Sequence, residues 1–145
     1  EPDMTGKVIL FRDRNGWCPY SERVWLAMMG KGLDFSEVLV DNQGTKPSWY
    51  YRCIGSGSTP AVRWDDGKYQ TESMDIAFEL EKRYPSPLFP SLLPSGLSKE
   101  ECGRKINDVN KLFPKNTRPS SRSAYLFKGG GIVPKAEFEA TLDGI

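Results

Sequence analysis

The feature that most constrains the fold of this chain lies near its N-terminus, where a short apolar strand pattern runs through a turn into an apolar helix pattern. Residues 7–12 (KVILFR) have the aliphatic density of a buried strand, and residues 12–16 supply turn chemistry. The helix pattern is strongest over 24–29 (VWLAMM), and Pro19 fits its first turn, where a missing N–H costs nothing. We therefore expect strand, turn and helix, with Cys18 at the start of the helix.

The thiol of Cys18 is the candidate nucleophile of the chain. Free backbone N–H groups and the positive end of a helix dipole lower a cysteine pKa from about 8.5 toward roughly 3.5 to 7.5. A lone cysteine is often only a small buried hydrophobe, but the strand, turn and helix around Cys18 favour a reactive thiolate. Position 21 is serine, so a mixed disulfide of Cys18 must be resolved by an outside thiol, or by Cys53 or Cys102. Ser21 can donate a hydrogen bond to the thiolate or act as an ordinary capping residue.

The composition excludes several other kinds of chemistry. The 145 residues include no histidine, which rules out histidine-based acid–base catalysis, and three dispersed cysteines argue against a zinc site, so no metal is expected. The longest unbroken apolar run, 24–29, is far shorter than the roughly 18 residues of a membrane helix, so a soluble protein without a transmembrane segment is expected. Cysteines without the spacing of a disulfide framework indicate a reducing compartment.

Basic residues are concentrated in one part of the chain. Residues 99–135 carry 9 basic and 3 acidic side chains, although the net charge of the whole chain is only +1. Such a surface would attract an anionic ligand or an acidic partner, and solvated helix faces account for the same count equally well. Neither aromatic interleaving nor a known motif accompanies these charges, so no nucleic-acid partner is expected.

The pattern over the first 84 residues predicts the element order β-α-β-α-β-β-α. After the first strand and helix, the predicted elements are a strand over 34–40, a short helix over 46–53 begun by Pro47, a loop over 55–58, strands over 61–64 and 68–71, and a helix over 73–84 with Ile76, Ala77, Leu80 and Tyr84 on one face. A strand–helix–strand unit makes a parallel pair, and Asp66-Gly67 indicates a hairpin. The order describes an α/β, thioredoxin-like layer of helices on a mixed four-stranded sheet.

A proline-rich stretch separates this part of the chain from a helical remainder. The predicted organisation is a domain over 1–85, a linker over 86–97 and a partial helical domain over 98–145. Within the last, a capping box at 98–101 opens a helix that ends before Pro114, a shorter helix covers 119–127, and a final helix begins at Pro134 with Phe138, Leu142 and Ile145 on one face. The chain ends within that last pattern.

Three separated motifs in this chain resemble the glutathione S-transferase family, in its cysteine-type classes omega, lambda and dehydroascorbate reductase. They are CPYSERV at 18–24, KPSWY at 46–50, and STPAV at 58–62 together with TES at 71–73. The resemblance covers residues 7–94 well and is looser from 98 onward. It implies a thioredoxin-like N-terminal domain followed by the truncated start of an all-helical C-terminal domain. The chloride intracellular channel group shares the fold and a similar cysteine motif.

The resemblance also implies which residues form the site. Cys18 and Ser21 are the expected catalytic residues, and the expected glutathione-binding residues are Tyr20, Lys46, Thr59, Pro60, Glu72 and Ser73. In this family Pro60 is cis, and the backbone of Thr59, where valine is commoner, pairs with the cysteinyl amide of glutathione. The N-terminal amides and hydroxyl of Ser73 hold the γ-glutamyl carboxylate, while Glu72 accepts from the ammonium. Lys46 meets the glycyl carboxylate.

The function implied by the resemblance is that of a glutathione-dependent thiol transferase or reductase. Cys18 would act as a thiolate that forms a mixed disulfide with glutathione, and a small disulfide or electrophile would be the second substrate. The alternative is a non-catalytic glutathione-transferase-fold subunit in a larger assembly. Because the family's second domain is about twice as long as the stretch of this chain after residue 95, we expect a fragment, and whether it retains full or reduced activity stays open. The assembly state stays open between a homodimer and a host assembly. The compartment stays open between the cytoplasm and a reducing organelle, including a plastid if a transit segment was removed.

Overall fold

The computed structural model describes residues 7–112 and the isolated helical positions Ala136 and Glu139. The chain divides into two compact units, Glu1–Leu92 and Leu93–Ile145. The first unit contains strands β1 (Ile9–Asp13), β2 (Ser36–Val40), β3 (Ala61–Arg63) and β4 (Tyr69–Thr71), and helices α1 (Pro19–Gly30), α2 (Ser48–Ile54) and α3 (Ser73–Arg83). The second contains α4 (Lys99–Leu112). The helices expected at 119–127 and from Pro134, with Phe138, Leu142 and Ile145, lie outside the described residues.

The predicted element order of the first unit is confirmed, and its four strands form a mixed sheet in the order β2-β1-β3-β4. β1 and β2 are parallel, whereas β3 is antiparallel to both β1 and β4. β1 continues to Asp13, one residue beyond the prediction, because Asp13 still pairs with Val40. β3 and β4 are each shorter by one residue, since Trp64 and Lys68 close the hairpin through a backbone hydrogen bond of 2.8 Å.

The central strand β1 is buried on both faces of the sheet. Leu10 packs on one face against a cluster that includes side chains of α1 and α3, and Ile9 and Phe11 pack on the other face against Tyr50 of α2. Alternate residues of a strand point to opposite faces, so the continuous apolar run of β1 serves two cores. Helices α1 and α3 therefore share one face of the sheet, and α2 covers the other.

Helix α2 begins later than the sequence predicts. Pro47 is extended (φ −64°, ψ 149°) and precedes the first helical residue, so Lys46 belongs to the loop after β2 rather than to the helix. The helix ends at Ile54, one residue beyond the prediction, because Gly55 adopts a left-handed conformation (φ 74°) and its N–H donates to the carbonyl of Tyr51.

The sheet topology brings three separate loops to one end of the sheet. Because β1 and β3 are antiparallel, the C-terminal end of β1 lies beside the N-terminal end of β3. The C-terminal end of β4 lies at this same end of the sheet. The loops concerned carry Cys18 after β1, Pro60 before β3 and Glu72 after β4. This arrangement places the predicted site residues of these three loops close together even though they are distant in sequence.

Helix α4 opens with the predicted capping box. The N–H and hydroxyl of Ser98 each donate to a carboxylate oxygen of Glu101 at 2.9 Å, and the N–H of Glu101 donates back to the Ser98 hydroxyl at 3.2 Å. The backbone N–H of Ser98, and then its hydroxyl, hold the pKa of Glu101 below its usual value. Within residues 7–112, none of the helices has the length and apolarity that crossing a bilayer requires.

Candidate active site

Cys18 occupies the predicted position immediately before the first residue of α1, with Pro19 as the first helical residue. Its backbone is extended (φ −85°, ψ 108°) and its side chain makes no capping hydrogen bond. The sulfur instead lies 3.7 Å from the carbonyl oxygen of Thr59, to which the thiol donates. Such a contact belongs to the neutral thiol, since a thiolate has no proton to donate.

The loop that faces Cys18 contains a cis peptide bond between Thr59 and Pro60, as the resemblance implies. Two hydrogen bonds hold this loop from outside it. The fully buried Tyr50 donates its hydroxyl to the carbonyl of Ser58 at 2.7 Å, and the amide of Asn42 donates to the hydroxyl of Thr59 at 2.6 Å. Burial, with a smaller effect of Cys18, raises the pKa of Tyr50 well above its usual value, so this donor keeps its proton.

A cavity of about 180 Å³ opens at this end of the sheet. It is lined by Tyr20, Ser58, Thr59, Pro60, Glu72 and Ser73. Five of the six predicted binding residues therefore meet at one cavity, and Cys18 contacts one of its lining residues, Thr59. Ser58 was not predicted, and Lys46 does not line the cavity.

The start of α3 forms one wall of the cavity. Among the residues that the structure describes, Glu72 is the one non-glycine residue with a positive φ, at 67°. A non-glycine residue held in such a region costs on the order of 1 to 3 kcal/mol, and strain of this kind is common at ligand sites. Glu72 precedes the first helical residue, Ser73, which is 6% exposed. Unpaired backbone N–H groups and the positive dipole end of an 11-residue helix suit a negatively charged ligand group here.

Arg23 of α1 contacts two of the cavity-lining residues. Its guanidinium donates to the hydroxyl oxygen of Ser73 at 2.8 Å and lies 5.8 Å from the ring centre of Tyr20. Burial raises the pKa of Tyr20, Arg23 opposes that rise and Cys18 adds to it. The sequence placed Arg23 in the cysteine motif without a role, because its partner lies fifty positions away on another helix.

Ser21 is 2% exposed, and its hydroxyl oxygen accepts a hydrogen bond from the backbone N–H of Asp13 at 3.4 Å. The buried carboxylate of Asp13 in turn accepts from the N–H of Trp17 at 2.9 Å. These bonds connect the end of β1 to the start of α1 and so fix the turn that presents Cys18. An accepting hydroxyl still has a proton to donate, so the predicted hydrogen bond from Ser21 to a Cys18 thiolate stays a prediction.

Lys46 is 9% exposed and lies in the loop that follows β2. The same loop is shaped by Asp41, whose carboxylate accepts from the N–H groups of Gln43 and Gly44 at 2.8 and 3.0 Å. These two bonds hold the pKa of Asp41 below its usual value, with smaller contributions from Arg14 and Lys46. Binding of a glycyl carboxylate by Lys46 stays a prediction.

In the part of the chain that the structure describes, no three acidic, cysteine or histidine side chains cluster as a metal site would require.

Comparison with known proteins identifies the segment that carries this site. Residues 17–83 match the family model described as glutathione S-transferase, N-terminal domain. Over 75 residues, the chain is 35% identical to the probable glutathione S-transferase DHAR1, cytosolic, of Oryza sativa subsp. japonica, an alignment that covers 52% of this chain and 35% of the relative. This chain spans about a third of the length of the first curated relatives that it matches.

Solved structures share the fold. Glutathione transferase Omega 2C from Trametes versicolor superimposes with a TM-score of 0.69 at 18% identity, covering 96% of this chain and 61% of that one. A glutathione transferase homolog from Burkholderia, solved with bound glutathione, gives a TM-score of 0.59 at 21% identity, covering 82% and 59% of the two chains. At these identities the likeness establishes the thioredoxin-like fold with its helices and mixed sheet.

Proposed function

We propose that this chain, whose residues 17–83 match the N-terminal domain of the glutathione S-transferase family, is a member of that family, binds glutathione and acts as a glutathione-dependent thiol transferase or reductase. One observation carries the proposal. The cavity lined by five of the six predicted binding residues lies beside the Cys18 sulfur, with Thr59 belonging to both. A tripeptide seated in that cavity would bring its own sulfur toward Cys18.

Glutathione has three polar parts that the site would recognise separately. The γ-glutamyl carboxylate suits the start of α3, where Ser73 supplies a hydroxyl and backbone N–H groups, and Glu72 suits the adjacent ammonium. The cysteinyl amide suits the extended backbone of Thr59, in the manner of an added strand. The glycyl carboxylate would reach Lys46 at the end of the loop after β2. The glutathione bound to the Burkholderia homolog supports this ligand class.

The proposed reaction is an exchange between a thiol and a disulfide in two steps. The Cys18 thiolate attacks the glutathione sulfur of a mixed disulfide, RS–SG, so that a Cys18–SG bond forms, the RS–SG bond breaks, and RS⁻ leaves to take up a proton. The thiolate of a second glutathione then attacks the glutathione sulfur held on Cys18. Oxidised glutathione leaves and the Cys18 thiolate is regenerated, so RS–SG and one glutathione become RSH and oxidised glutathione.

The first step requires Cys18 to change its contact. A carbonyl oxygen stabilises a thiol and repels a thiolate, so the ionised sulfur would turn away from Thr59. The backbone N–H groups at the start of α1 and the Ser21 hydroxyl would be the donors available to the thiolate on the first turn of the helix. Glutathione would assist this change if its cysteinyl N–H donated a hydrogen bond to the Thr59 carbonyl and so displaced the Cys18 sulfur from it.

Reduction of a small glutathione mixed disulfide, followed by the release of oxidised glutathione at neutral pH, tests the proposal. We expect turnover by the full chain, loss of at least about 99% of it in Cys18→Ala, since the nucleophile is removed, and retention in the matched control Cys53→Ala. Mass spectrometry should find glutathione attached at Cys18 when the second thiol is withheld. Undiminished turnover in Cys18→Ala would contradict the mechanism.

Glutathione binding without turnover against any small mixed disulfide or dehydroascorbate would instead support the non-catalytic subunit. Under either outcome, we propose that residues 1–85 form the glutathione-binding domain, with residues 98–145 belonging to a helical domain beyond a linker at 86–97. Residues 7–92 fall within one compact unit and contain every residue that lines the cavity.

A further inference from the structure

Arg23 contacts residues that line the cavity but does not line the cavity itself. It is absent from the lining residues, yet its guanidinium reaches two of them, donating to Ser73 at 2.8 Å and lying 5.8 Å from the ring centre of Tyr20. Arg23 and Tyr20 belong to α1, whereas Ser73 begins α3, so this contact joins the two helices next to the cavity. Arginine holds such a geometry better than lysine because its donors form a rigid planar fork.

The direction of the bond decides what the Ser73 hydroxyl can do. A guanidinium can only donate, so the Ser73 oxygen is the acceptor and its own proton must point elsewhere. Since Ser73 lines the cavity and is almost fully buried, the cavity is the open direction for that proton. Arg23 thereby prepares Ser73 as a donor toward a ligand.

The charge of Arg23 acts in the same sense. The guanidinium is permanently positive, and the start of α3 adds the positive end of its dipole at the same place. A hydroxyl that accepts from a cation is polarised and becomes a better donor to an anion. The pair therefore favours a carboxylate over a neutral group at this end of the cavity.

We propose that Arg23 is a positioning residue that, through the Ser73 hydroxyl, sets the affinity of the site for the γ-glutamyl carboxylate of glutathione. The proposal rests on the proposed function, because it takes glutathione as the ligand. It assigns Arg23 no contact with the reacting sulfur atoms. Its effect should appear in binding of the ligand and in KM rather than in kcat.

Titration calorimetry of the full chain with two ligands tests this role. The ligands are glutathione and 4-aminobutyryl-cysteinyl-glycine, which keeps the amine, the thiol and the glycyl end but lacks the γ-glutamyl carboxylate. For Arg23→Gln we expect about tenfold weaker binding of glutathione, the size of one charge-assisted hydrogen bond, and unchanged binding of the analogue. A general distortion of the site would weaken both ligands alike.

Two further variants separate the route of the effect. Ser73→Ala should weaken glutathione by a similar factor, and Arg23→Gln combined with Ser73→Ala should bind within about twofold of Ser73→Ala alone, because Arg23 acts through that hydroxyl. Arg52→Gln is the matched control, since Arg52 also donates to a serine, Ser48 at 3.3 Å, on an exposed surface outside the cavity lining. It should bind both ligands as the unaltered chain does.

The outcomes are distinguishable. Equal losses for both ligands, or no loss for glutathione, in Arg23→Gln would overturn the role of Arg23 while leaving glutathione binding by the unaltered chain intact. Failure of the unaltered chain to bind glutathione would overturn the proposed function and this role with it. If Arg23→Gln does not fold, Arg23→Lys, which keeps the charge and the aliphatic stem, gives the same comparison with an expected loss of about threefold.

Discussion

The sulfur of Cys18 lies 3.7 Å from the carbonyl oxygen of Thr59, so the residue that precedes α1 contacts the loop that contains cis Pro60. The contact joins the predicted nucleophile to a predicted binding residue. It also couples them chemically, because the Thr59 carbonyl accepts from the thiol, and a ligand amide that donates to the same oxygen would compete with it. We therefore expect the hydrogen bond of the Cys18 thiol to be lost when a ligand N–H donates to the Thr59 carbonyl.

Cys18 should react with iodoacetamide faster than the other two cysteines. All three are partly exposed, so access alone does not separate them. Cys18 precedes the first turn of α1, whereas Cys53 lies in the last turn of α2 at the negative end of its dipole, and Cys102 follows the acidic residues of the first turn of α4. We expect labelling of Cys18 at pH 6 to be at least about tenfold faster, as read by mass spectrometry after brief exposure. Equal labelling of Cys53 would contradict the activated thiol.

Replacing Tyr50 with phenylalanine should destabilise the unit and disturb the cis-proline loop. The buried hydroxyl of Tyr50 donates to the carbonyl of Ser58, which lines the cavity. Loss of that bond should lower the free energy of unfolding by about 1 kcal/mol, measured with urea. Tyr51→Phe is the control, because Tyr51 is 46% exposed. A destabilisation of the same size in both variants would rule out a special role for Tyr50.

The same substitution should change how stability depends on alkaline pH. Burial raises the pKa of Tyr50, so above about pH 10 the unfolded chain loses a proton that the folded chain keeps. The free energy of unfolding should therefore fall as the pH rises from about 9 to 11. Tyr50→Phe should make that fall shallower, although Tyr20, Tyr69 and Tyr84, whose pKa values are also raised, leave part of it. An unaltered slope in urea titrations over this range would contradict the assignment.

Breaking the pair between Lys31 and Glu81 should destabilise the first unit strongly. The Lys31 side chain is fully buried at the end of α1, where its ammonium lies 3.0 Å from Glu81 and donates to the carbonyl of Tyr84 at 2.9 Å. Glu81→Gln should lower the free energy of unfolding by about 3 kcal/mol, because it leaves a buried charge without its counterion. Lys82→Met is the control: Lys82 is 79% exposed in its pair with Glu79, and about 0.5 kcal/mol or less is expected. Similar losses of unfolding free energy in the two variants would show that the buried pair of Lys31 stabilises the unit no more than an exposed pair does.

The hydroxyl of Thr59 should matter although its expected role is a backbone one. Asn42, in the loop after β2, donates to that hydroxyl at 2.6 Å. Thr59→Val keeps the shape and the backbone but removes the bond, and we expect glutathione to bind about two- to fivefold more weakly by calorimetry. Asn42→Ala should have the same effect, and the double variant should be no weaker than either single one. Additive losses would show that the two side chains act independently.

The sequence was sufficient to predict the fold of the first unit because each of its elements has a local sequence pattern that indicates it. The apolar run of β1, the Asp66-Gly67 hairpin and the periodic apolar positions of α3 each indicate one structure, and all are confirmed. Boundaries were less accurate, since they depend on partners. Asp13 extends β1 because it pairs with Val40, and Pro47 delays the start of α2.

The site was predicted as far as the family motifs reach. They named five residues that line the cavity, and one of these, Pro60, follows a cis peptide bond as the motifs imply. They gave no role to Arg23, Tyr50 or Asn42, because each acts on a residue brought near only by folding. No periodicity or spacing within one helix or loop reveals such a partner.

The cavity draws its walls from α1, from the loop before β3 and from the start of α3, so no one stretch of the chain can form it alone. A ligand that needs all of these walls binds the folded unit and not the unfolded chain. By mass action, glutathione at a hundred times its dissociation constant would then add about 2.7 kcal/mol to the stability of the fold. If the unit binds glutathione as proposed, the ligand would help to keep this domain folded wherever glutathione is abundant, and its thermal resistance would follow the local concentration of the tripeptide.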